Sequence, residues 1–430
     1  MNLRHLAHPT RSRWTRILGV AFVMYVLSYI DRTNIAMAIP AMRQDLGLSA
    51  TAIGFATSTF FWGYIILQIP AGRLAGVWSA KRVIFGLLVL WSAVSLSTAL
   101  VHTQTELIAN RFALGIAEGG VLTCTLVLIR AWFTRAERAR ANTLFLLSLA
   151  VAPLIANPIS GLILQYSSWR LMFVVEALPS LGWGLVWLWA VADSPRHVTW
   201  LPEAERIALL ATLEAESHQA KPIGGHWIRT LLHPAVLLLA LYNFLALMAE
   251  WGVTFWMPSA LKDTGLSIGT VGLLAALPYA AGVLMMILMS ISSDRHQERK
   301  WHMIAATAFS GIFLLSAQLA GAHTAFGIIL FLTLAIGSFL GRFGPFWTLP
   351  TEVLPPAVAG VGIGLINGAG NLGGTVGPYF FGYVRGVTGS FALAMIAGGI
   401  SLILASLVAL PIRAAHRPAV PTPAVGDVPA

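Results

Sequence analysis

Two ionisable side chains, Asp31 and Arg32, stand next to each other within residues 17–40, a stretch that is otherwise apolar and long enough to cross a bilayer as a helix. Another apolar stretch contains Arg111 and Glu118, which are seven residues apart and therefore lie on one helical face. Ionisable groups inside a membrane are costly, so a functional role is the default interpretation. The alternative is that these groups pair only to hold two helices together.

The types of these side chains suit the binding of an organic anion together with a proton. A guanidinium donates two parallel hydrogen bonds to a carboxylate and keeps its charge, whereas Asp31 and Glu118 can each hold or release a proton. Because Arg32 and Arg111 balance the two carboxylates, an arriving anion would leave an excess negative charge. Uptake of a proton restores neutrality, so the residues indicate anion binding coupled to proton movement.

Depth in the membrane follows from the helical rise, if the first helix ends near Pro40. At about 1.5 Å per residue, Asp31 and Arg32 lie roughly 12 to 14 Å below the outer surface. By the same rise, Arg111 on the fourth helix lies roughly 10 Å deep and Glu118 roughly 21 Å deep. We therefore expect Asp31, Arg32 and Arg111 to share one layer, with Glu118 in a deeper one.

The composition indicates an integral membrane protein. Of the 430 residues, 57% are hydrophobic and 10% are charged, whereas roughly 25% are charged in a soluble domain. Apolar runs of about 20 residues can each span roughly 30 Å of hydrocarbon as a helix. Twelve such runs lie near residues 17–40, 51–71, 81–101, 106–129, 141–165, 170–191, 234–260, 268–289, 302–320, 324–347, 357–385 and 390–412. The predicted fold is all-α, with twelve transmembrane helices.

The distribution of Lys and Arg predicts the orientation, because positive charge is retained on the cytoplasmic side. With the N-terminus inside, 21 of the 27 basic residues, Arg342 among them, fall in cytoplasmic segments. The others are Arg43, Arg170, Lys262 and Arg385 in outer loops, and Arg32 and Arg111 in helices. Both termini are therefore predicted to be cytoplasmic. The same asymmetry accounts for the net charge of +10 without a nucleic-acid partner.

A polar segment in the middle of the chain interrupts the apolar runs and divides the chain into two predicted six-helix halves. The segments are a cytoplasmic tail (1–16), an N-terminal bundle (17–192), a cytoplasmic central loop (193–232), a C-terminal bundle (233–412) and a disordered cytoplasmic tail (413–430). Apolar residues at helical spacing within 202–217 favour an amphipathic helix on the inner membrane surface.

The two halves look like repeats at an offset of 218 to 220 residues, at which Pro158 matches Pro378. Repeated halves with a site between them are the architecture expected of secondary transporters. The same offset matches Arg32 with Glu250. Glu250 is therefore a candidate acid in a second-half cavity, and the alternative is an outer residue that faces water.

Amides and aromatic rings supply further candidate substrate contacts. Asn367 and Asn371 stand about one helical turn apart, where they could bind substrate hydroxyls or carboxylates, or instead bond a neighbouring helix. The rings that could stack on a substrate, or instead face lipid, belong to Tyr29, Tyr64, Tyr279, Trp251 and Trp347.

Signatures of enzymes and metal sites are missing from the sequence. It contains no GxxxxGK[ST] phosphate-binding loop and no HExxH pair, and Cys124 is its single cysteine. We therefore predict a protein that is not an enzyme and that needs no cofactor or metal.

The loop after the second apolar run resembles the major facilitator superfamily, in which this loop reads GxLADxxGxRR. Residues 72–82 read GRLAGVWSAKR, with Gly76 at the acidic position, so the loop ion pair that helps to close the inner side lacks its acid. In the second copy, residues 290–300, the acid is present as Asp294. The resemblance implies a gating role for Arg73, Lys81, Arg82, Asp294 and Arg295.

Four further stretches resemble the anion:cation symporter family within that superfamily, which includes carriers of hexuronate, galactonate, tartrate and phthalate. They are YIDRTN at 29–34, RFALGIAEG at 111–119, WF at 132–133 with ER at 137–138, and IN at 366–367 with NLGG at 371–374. The resemblance implies that Asp31 and Glu118 are proton sites and that Arg32 is an anion contact. It also implies that Arg111 and Tyr64 line the same cavity.

These observations predict a proton-coupled symporter that imports a small organic anion, such as a sugar acid, an aromatic acid or another carboxylate. One alternative is proton-driven efflux of drug-like compounds, although Arg32 and Arg111 disfavour a cationic substrate. Another is a transporter-like ligand sensor, for which the cytoplasmic surface is small. The resemblance also implies a bacterial inner membrane and a monomer.

Overall fold

The computed structural model describes residues 11–218, 232–319, 324–354 and 359–412, and these residues contain helices and no β-strand. The helices are α1 (Trp14–Asp45), α2 (Ala50–Leu74), α3 (Ala80–Ser97), α4 (Gln104–Trp132), α5 (Arg135–Tyr166), α6 (Trp169–Ala190), α7 (Pro234–Lys262), α8 (Ile268–His296), α9 (Lys300–Leu319), α10 (Ala325–Gly341, continued by Phe343–Val353), α11 (Ala359–Thr388) and α12 (Ala392–Val408). Each predicted apolar run coincides with one of them, which confirms the all-α fold. The predicted disordered tail, 413–430, lies outside the described residues.

The distribution of side chains is that of a protein surrounded by lipid. Eight helical stretches of the described residues are long and apolar enough to cross a membrane, and one of them, Ala50–Leu100, comprises both α2 and α3. The outward surface carries large apolar side chains such as Ile69, 81% exposed, and Leu185, 73% exposed. Charged side chains such as Asp31 and Glu118 are fully buried. An apolar surface around a polar interior requires a lipid environment.

Serine or threonine caps mark the start of every even-numbered helix from α2 to α10. Each cap hydroxyl accepts a hydrogen bond from the backbone N–H three residues later and so satisfies one of the free N–H groups of the first turn. The caps are Ser49, Thr103, Ser168, Ser267 and Thr324. Since successive helices alternate in direction, the caps lie at one end of the bundle, which the charge distribution predicts to be the outer end.

Glycines bring the first six helices into backbone contact with the last six at that same end. A β-carbon on Gly272 of α8 would lie 2.4 Å from the carbonyl oxygen of Asn157 on α5. A β-carbon on Gly54 of α2 would lie 2.7 Å from the carbonyl oxygen of Pro378 on α11. Larger residues at these glycines would force the two halves apart. The contacts therefore close the passage between the halves at the predicted outer end.

A further helix, Glu203–His218, connects the two halves and coincides with the predicted amphipathic segment. We call it the connecting helix. The backbone N–H of Arg135, at the start of α5, donates to the carboxylate of Glu216 at 2.7 Å, and Arg138 forms an ion pair with Glu216 at 2.9 Å. The connecting helix is thus attached to the N-terminal half.

Candidate functional site

A buried ion pair joins α1 to α4. The Nη2 and Nε atoms of Arg32 donate to Oε2 of Glu118 at 3.0 and 3.1 Å, and the hydroxyl of Ser28 donates to the same oxygen at 3.2 Å. Arg32 is 5% exposed and Glu118 is fully buried. The other carboxylate oxygen, Oε1, is buried and has no hydrogen-bond partner in the described part of the chain. Glu118 therefore holds Arg32 through one oxygen and leaves the second one unused.

Aromatic rings surround the guanidinium of Arg32. Its central carbon lies 4.7 Å from the ring centroid of Tyr64, 5.1 Å from that of Phe60 and 5.2 Å from that of Tyr29. Ring faces attract a cation and keep water away from it, and electrostatic contacts are stronger where water is excluded. The predicted substrate residues Tyr29 and Tyr64 thus lie directly beside the predicted anion contact.

The rings continue from Arg32 into the second half. The ring centroids of Tyr29 and Trp251 are 6.0 Å apart, and Trp251 lies 4.9 Å from Phe61 and 5.5 Å from Phe255. We call Tyr29, Phe61, Trp251 and Phe255 the aromatic bridge. It links α1 and α2 of the first half with α7 of the second.

Asp31 points away from Arg32 and is held by two serines. The hydroxyl of Ser95 on α3 donates to Oδ1 of Asp31 at 2.6 Å, and the hydroxyl of Ser180 on α6 donates to Oδ2 at 3.0 Å. Asp31 forms no ion pair with Arg32 or Arg111 in the part of the chain that the structure describes. The alternative in which Asp31 pairs with one of these arginines is therefore wrong. Arg32 points about 100° away from Asp31 around the helix, and Arg111 bonds Thr98 instead.

The predicted depth of Glu118 relative to Arg32 is wrong as well. The prediction puts Glu118 in a deeper layer, yet the two side chains are in contact at 3.0 Å. The cause is the length of α1, which passes through Pro40 and ends at Asp45. At about 1.5 Å per residue, the five additional residues move Arg32 roughly 7 Å further from the end of α1. Arg32 therefore lies in the layer of Glu118.

Arg111 is a buried cation without an acidic partner in the described residues. Its Nη2 atom donates to the hydroxyl of Thr98 at 3.2 Å and lies 3.4 Å from Oδ1 of Asn110. Its guanidinium lies over the ring of Phe173 at 5.7 Å. The Nε atom is buried with no described hydrogen-bond partner. Arg111 thus keeps an unsatisfied donor on the same helix as Glu118.

The second half carries a partly exposed acid, Glu250, and a fully buried cation, Arg342. Glu250 of α7 is partly exposed, although Ala249 before it and residues 251–259 after it are buried. Glu250 and Phe339 line one small cavity, and the guanidinium of Arg342 lies 4.3 Å from the ring of Phe339. The assignment of Arg342 to a cytoplasmic segment is wrong, since this residue is fully buried at the break in α10.

The predicted amides of α11 have different surroundings. Asn371 is 8% exposed, and its Nδ2 atom lies 3.5 Å from Oε1 of Gln68 on α2, so it bridges the two halves. Asn367 is partly exposed. Trp347 of α10 is also partly exposed and packs edge-on against Phe346 at 4.9 Å. Asn367 and Trp347 are thus the candidates that retain an open face.

One buried acid, Glu176 of α6, is not among the residues predicted from the sequence. Glu176 is 7% exposed, and its Oε1 atom accepts a hydrogen bond from Ser160 at 2.5 Å. It lies one helical turn before Ser180, which bonds Asp31. Asp31 is identified as an ionisable residue inside an apolar run. Glu176 is the single acid of the apolar run 170–191, so the same criterion identifies it.

Comparison with known proteins decides the family. A sequence model of the Major Facilitator Superfamily matches residues 21–378 and, again, residues 239–426. The chain belongs to the Major Facilitator Superfamily. It is thus a multi-pass membrane transporter.

Relatives and solved structures within the superfamily cover nearly the whole chain. The chain is 33% identical over 404 residues to a candidate tartrate transporter of Agrobacterium vitis, with 92% of each chain covered. It is 30% identical to the candidate metabolite transport protein NicT of Pseudomonas putida, with 95% of this chain and 97% of NicT covered. The inward-open structure of the xylose transporter XylE from Escherichia coli has the same fold, with a TM-score of 0.76, 16% identity and coverage of 92% and 95%.

The loop between α2 and α3 is bonded to an acid from another part of this chain, Asp193. The hydroxyl of Ser79 donates to one carboxylate oxygen of Asp193 at 2.6 Å, and the backbone N–H of Lys81 donates to the other at 2.8 Å. Asp193 follows α6, and its carboxylate thus links the end of α6 to the first turn of α3. Asp193 could not be predicted from the loop motif, because it lies more than 100 residues away in sequence.

In the second copy of the loop, Arg299 joins two acids. It pairs with Asp294 at 2.6 Å and with Glu352 at 3.4 Å, which links the end of α8 to the end of α10. The gating role of the predicted loop residues stays a prediction for Arg73, Lys81, Arg82, Asp294 and Arg295.

Proposed function

We propose that this transporter is a proton-coupled symporter that imports a small organic anion by alternating access between an N-terminal half, residues 17–192, and a C-terminal half, residues 233–412. The observation that carries the proposal is the buried ion pair between Arg32 and Glu118. A substrate carboxylate and the carboxylate of Glu118 are chemically equivalent partners for one guanidinium. They therefore compete for Arg32, and such competition couples anion binding to the charge of Glu118.

The coupling step is an exchange of partners on Arg32. The substrate carboxylate takes the Nε and Nη2 hydrogen bonds that Glu118 now accepts, and Glu118 takes up a proton as it is released. Without that proton, a charged carboxylate would stay buried and unpaired, at a cost of about 3–5 kcal/mol. The unused Oε1 atom of Glu118 has no described donor competing for it. Anion and proton thus enter together, because either alone leaves an unbalanced charge.

Asp31 is proposed as a second proton site that supports this exchange. Its two carboxylate oxygens accept hydrogen bonds from Ser95 and Ser180. A hydroxyl group can donate or accept, so the serines satisfy Asp31 in its charged form and also when it carries a proton. Such a site can change its protonation without a rearrangement of α3 or α6.

The remaining candidate residues are proposed to shape the substrate site around Arg32. Tyr29 and Tyr64 flank the guanidinium. The other proposed contacts are Arg111, Trp347, Asn367 and Asn371. A relative named for tartrate supports a substrate that is an organic acid. The proposed setting is a bacterial inner membrane with both termini cytoplasmic, where the protein acts as a monomer.

Uptake into proteoliposomes tests the proposal. Vesicles containing the protein receive an inward proton gradient and a radioactive mixture of sugar acids, aromatic acids or tartrate, and accumulation is followed with and without an uncoupler. We expect gradient-driven accumulation of an acid by the wild type and its loss in Glu118→Gln. Glu214→Gln, an exposed change on the connecting helix, is the matched control. Accumulation by Glu118→Gln that still follows the gradient would contradict the proposal.

A further inference from the structure

Glu176 of α6 is a buried acid that the proposed function does not use. It is 7% exposed, and its Oε1 atom accepts a hydrogen bond from the hydroxyl of Ser160 on α5 at 2.5 Å. Its Oε2 atom is buried without a hydrogen-bond partner in the part of the chain that the structure describes. Because burial disfavours the charged form of a carboxylate, the free oxygen of Glu176 is suited to take up a proton.

Asn34 of α1 can serve as the partner of that oxygen. Asn34 lies near the carboxylate of Glu176, and both polar atoms of its side-chain amide are buried without a hydrogen-bond partner among the described residues. A protonated Oε2 atom can donate to the amide oxygen, whereas a charged Oε2 atom can accept from the amide nitrogen. Asn34 can therefore satisfy Glu176 in either protonation state.

A serine one helical turn away connects Glu176 to Asp31. Ser180 follows Glu176 by four residues on α6, so the two side chains lie on one face of the helix. The hydroxyl of Ser180 donates to Oδ2 of Asp31 at 3.0 Å. Glu176, Ser180 and Asp31 thus form a row of proton-exchanging groups that passes from α6 to α1.

The charged groups near this row are two acids and an arginine that pairs with neither of them. The charges of Glu176 and Asp31 repel each other. Arg111 lies over the ring of Phe173, three residues before Glu176, but it donates to Thr98 and forms no ion pair with either acid in the described residues. One proton on either acid relieves the repulsion between the two.

A cavity at the predicted outer end reaches to within one helical turn of the partners of Glu176. It has a volume of about 450 Å³, lies between the two halves and is lined by residues of α1, α5, α7 and α8. We call it the outer cavity. Two of its lining residues are Met37, three residues after Asn34 on α1, and Leu164, four residues after Ser160 on α5. The outer cavity has room for several water molecules at about 30 Å³ each, so protons from outside can reach this level.

We infer that Glu176 is a further proton-binding residue, which takes up a proton from the outer cavity and passes it through Ser180 to Asp31. The inference rests on the proposed function, in which Asp31 is a proton site. At about 1.5 Å per residue from the cap at Ser168, Glu176 lies roughly 12 Å and Ser180 roughly 18 Å from the outer end of α6. Glu176 is thus the acid nearer to the outer cavity.

The transfer has two steps, and each conserves protons. First, a hydronium ion in the outer cavity gives a proton to Oε2 of Glu176, which becomes neutral and donates to Asn34. Then Glu176 gives this proton to the hydroxyl oxygen of Ser180, directly or across one water molecule, while Ser180 gives its own proton to Oδ2 of Asp31. Ser180 is a neutral hydroxyl again, Asp31 is protonated, and Glu176 is charged and able to take up the next proton.

Uptake and counterflow in proteoliposomes separate proton delivery from substrate binding. The substrates are the radioactive sugar acids, aromatic acids and tartrate of the uptake experiment above. In the uptake assay an inward proton gradient is applied, and a pH-sensitive dye inside the vesicles reports the protons that enter. In the counterflow assay the vesicles are loaded with the same unlabelled acids and exchange them for labelled acids without a gradient. Counterflow needs no net movement of protons.

We expect Glu176→Gln to slow both uptake and the dye signal by about tenfold or more, because an amide cannot carry the proton. Counterflow by the same variant should stay within about twofold of the wild-type rate, since the amide keeps a hydrogen bond to Ser160. Glu176→Asp retains an acid and should recover uptake at least in part. The exposed change Glu214→Gln is the matched control and should leave both assays unchanged.

The remaining results decide against the inference or against the proposed function. Uptake by Glu176→Gln at the wild-type rate overturns the inference, and the proposed function survives if Glu118→Gln has lost its uptake. A folded Glu176→Gln that loses counterflow as well assigns the residue to substrate binding, which also overturns the inference. If Glu176→Gln does not fold, Ser180→Ala must slow uptake and retain counterflow, and any other result overturns the inference. If the wild type accumulates none of the acids, both the proposed function and the inference fail.

Discussion

Removing Arg32 should destabilise the protein strongly, because its partner is buried and cannot be hydrated. In Arg32→Met, Glu118 loses the hydrogen bonds of 3.0 and 3.1 Å and keeps a single donor, Ser28, at 3.2 Å. Breaking a buried ion pair from one side costs about 3–5 kcal/mol. We therefore expect the free energy of unfolding to fall by about that amount, measured by chemical denaturation in detergent micelles at alkaline pH, where proton uptake by Glu118 does not relieve the loss.

Replacing both partners by apolar residues should recover most of that loss. The double variant Arg32→Met with Glu118→Leu leaves no buried charge, and such replacements are often neutral or stabilising. We expect its free energy of unfolding to lie within about 1 kcal/mol of the wild type. The loss of the hydrogen bond from Ser28 to Glu118 comes in addition to this difference. The coupling energy from the double-mutant cycle should then be at least 2 kcal/mol, near the upper part of the range of about 0.5–3 kcal/mol for residues in contact.

Asp31 provides the control for this cycle. It is adjacent to Arg32 in sequence but bonds Ser95 and Ser180 instead. Asp31→Asn combined with Arg32→Met should therefore give additive losses. The reasoning is refuted if Arg32→Met unfolds at the same denaturant concentration as the wild type. It is also refuted if Arg32 couples to Asp31 as strongly as to Glu118, since the described contacts would then not be the ones that hold the site.

Three further predictions concern other parts of the molecule. Gly272→Val should abolish transport without unfolding the protein, because a β-carbon there meets the carbonyl oxygen of Asn157 at 2.4 Å. Spin-label distances between the outer ends of α5 and α8 should lengthen, and unchanged distances would contradict the outer closure. Arg342→Met should stabilise the protein by about 1–3 kcal/mol, because two buried N–H-bearing atoms of Arg342 have no described partner; a lower unfolding midpoint would mean that the arginine is satisfied. Asp31→Asn should leave calorimetric binding of the acid intact but reduce its pH dependence in uptake, and an unchanged pH profile would remove Asp31 from proton coupling.

The helical architecture could be predicted from the sequence because the bilayer requires each spanning helix to be a long apolar run. A helix that crosses hydrocarbon needs about 20 apolar residues, and the predicted runs therefore coincide with α1 to α12. Helix ends were less accurate, as α1 shows by continuing from Pro40 to Asp45. A proline inside a helix predicts a helix end when the packing against neighbouring helices is unknown. That single error shifted the predicted layer of Arg32 and separated it from Glu118.

The partners within the site could not be predicted, because they depend on which face of each helix turns inward. Sequence identified Asp31, Arg32 and Glu118 as unusual residues, but packing decides that Glu118 contacts Arg32 while Asp31 contacts two serines. The burial of Arg342 could not be predicted for a different reason. A basic residue near the end of an apolar run resembles a loop charge, and the continuation of α10 beyond it is a tertiary feature.

The two halves carry the same two residue types with exchanged positions. In the first half the arginine lies on α1 and the glutamate on α4, whereas in the second half the glutamate lies on α7 and the arginine on α10. Glu118 ends the first segment of α4, and Arg342 stands at the break in α10, so both occupy the middle of their helices. The first pair is closed at 3.0 Å, while rings separate Arg342 from the cavity. The first half therefore holds its arginine in an ion pair with the glutamate, whereas in the second half the arginine and the glutamate form no ion pair with each other among the described residues.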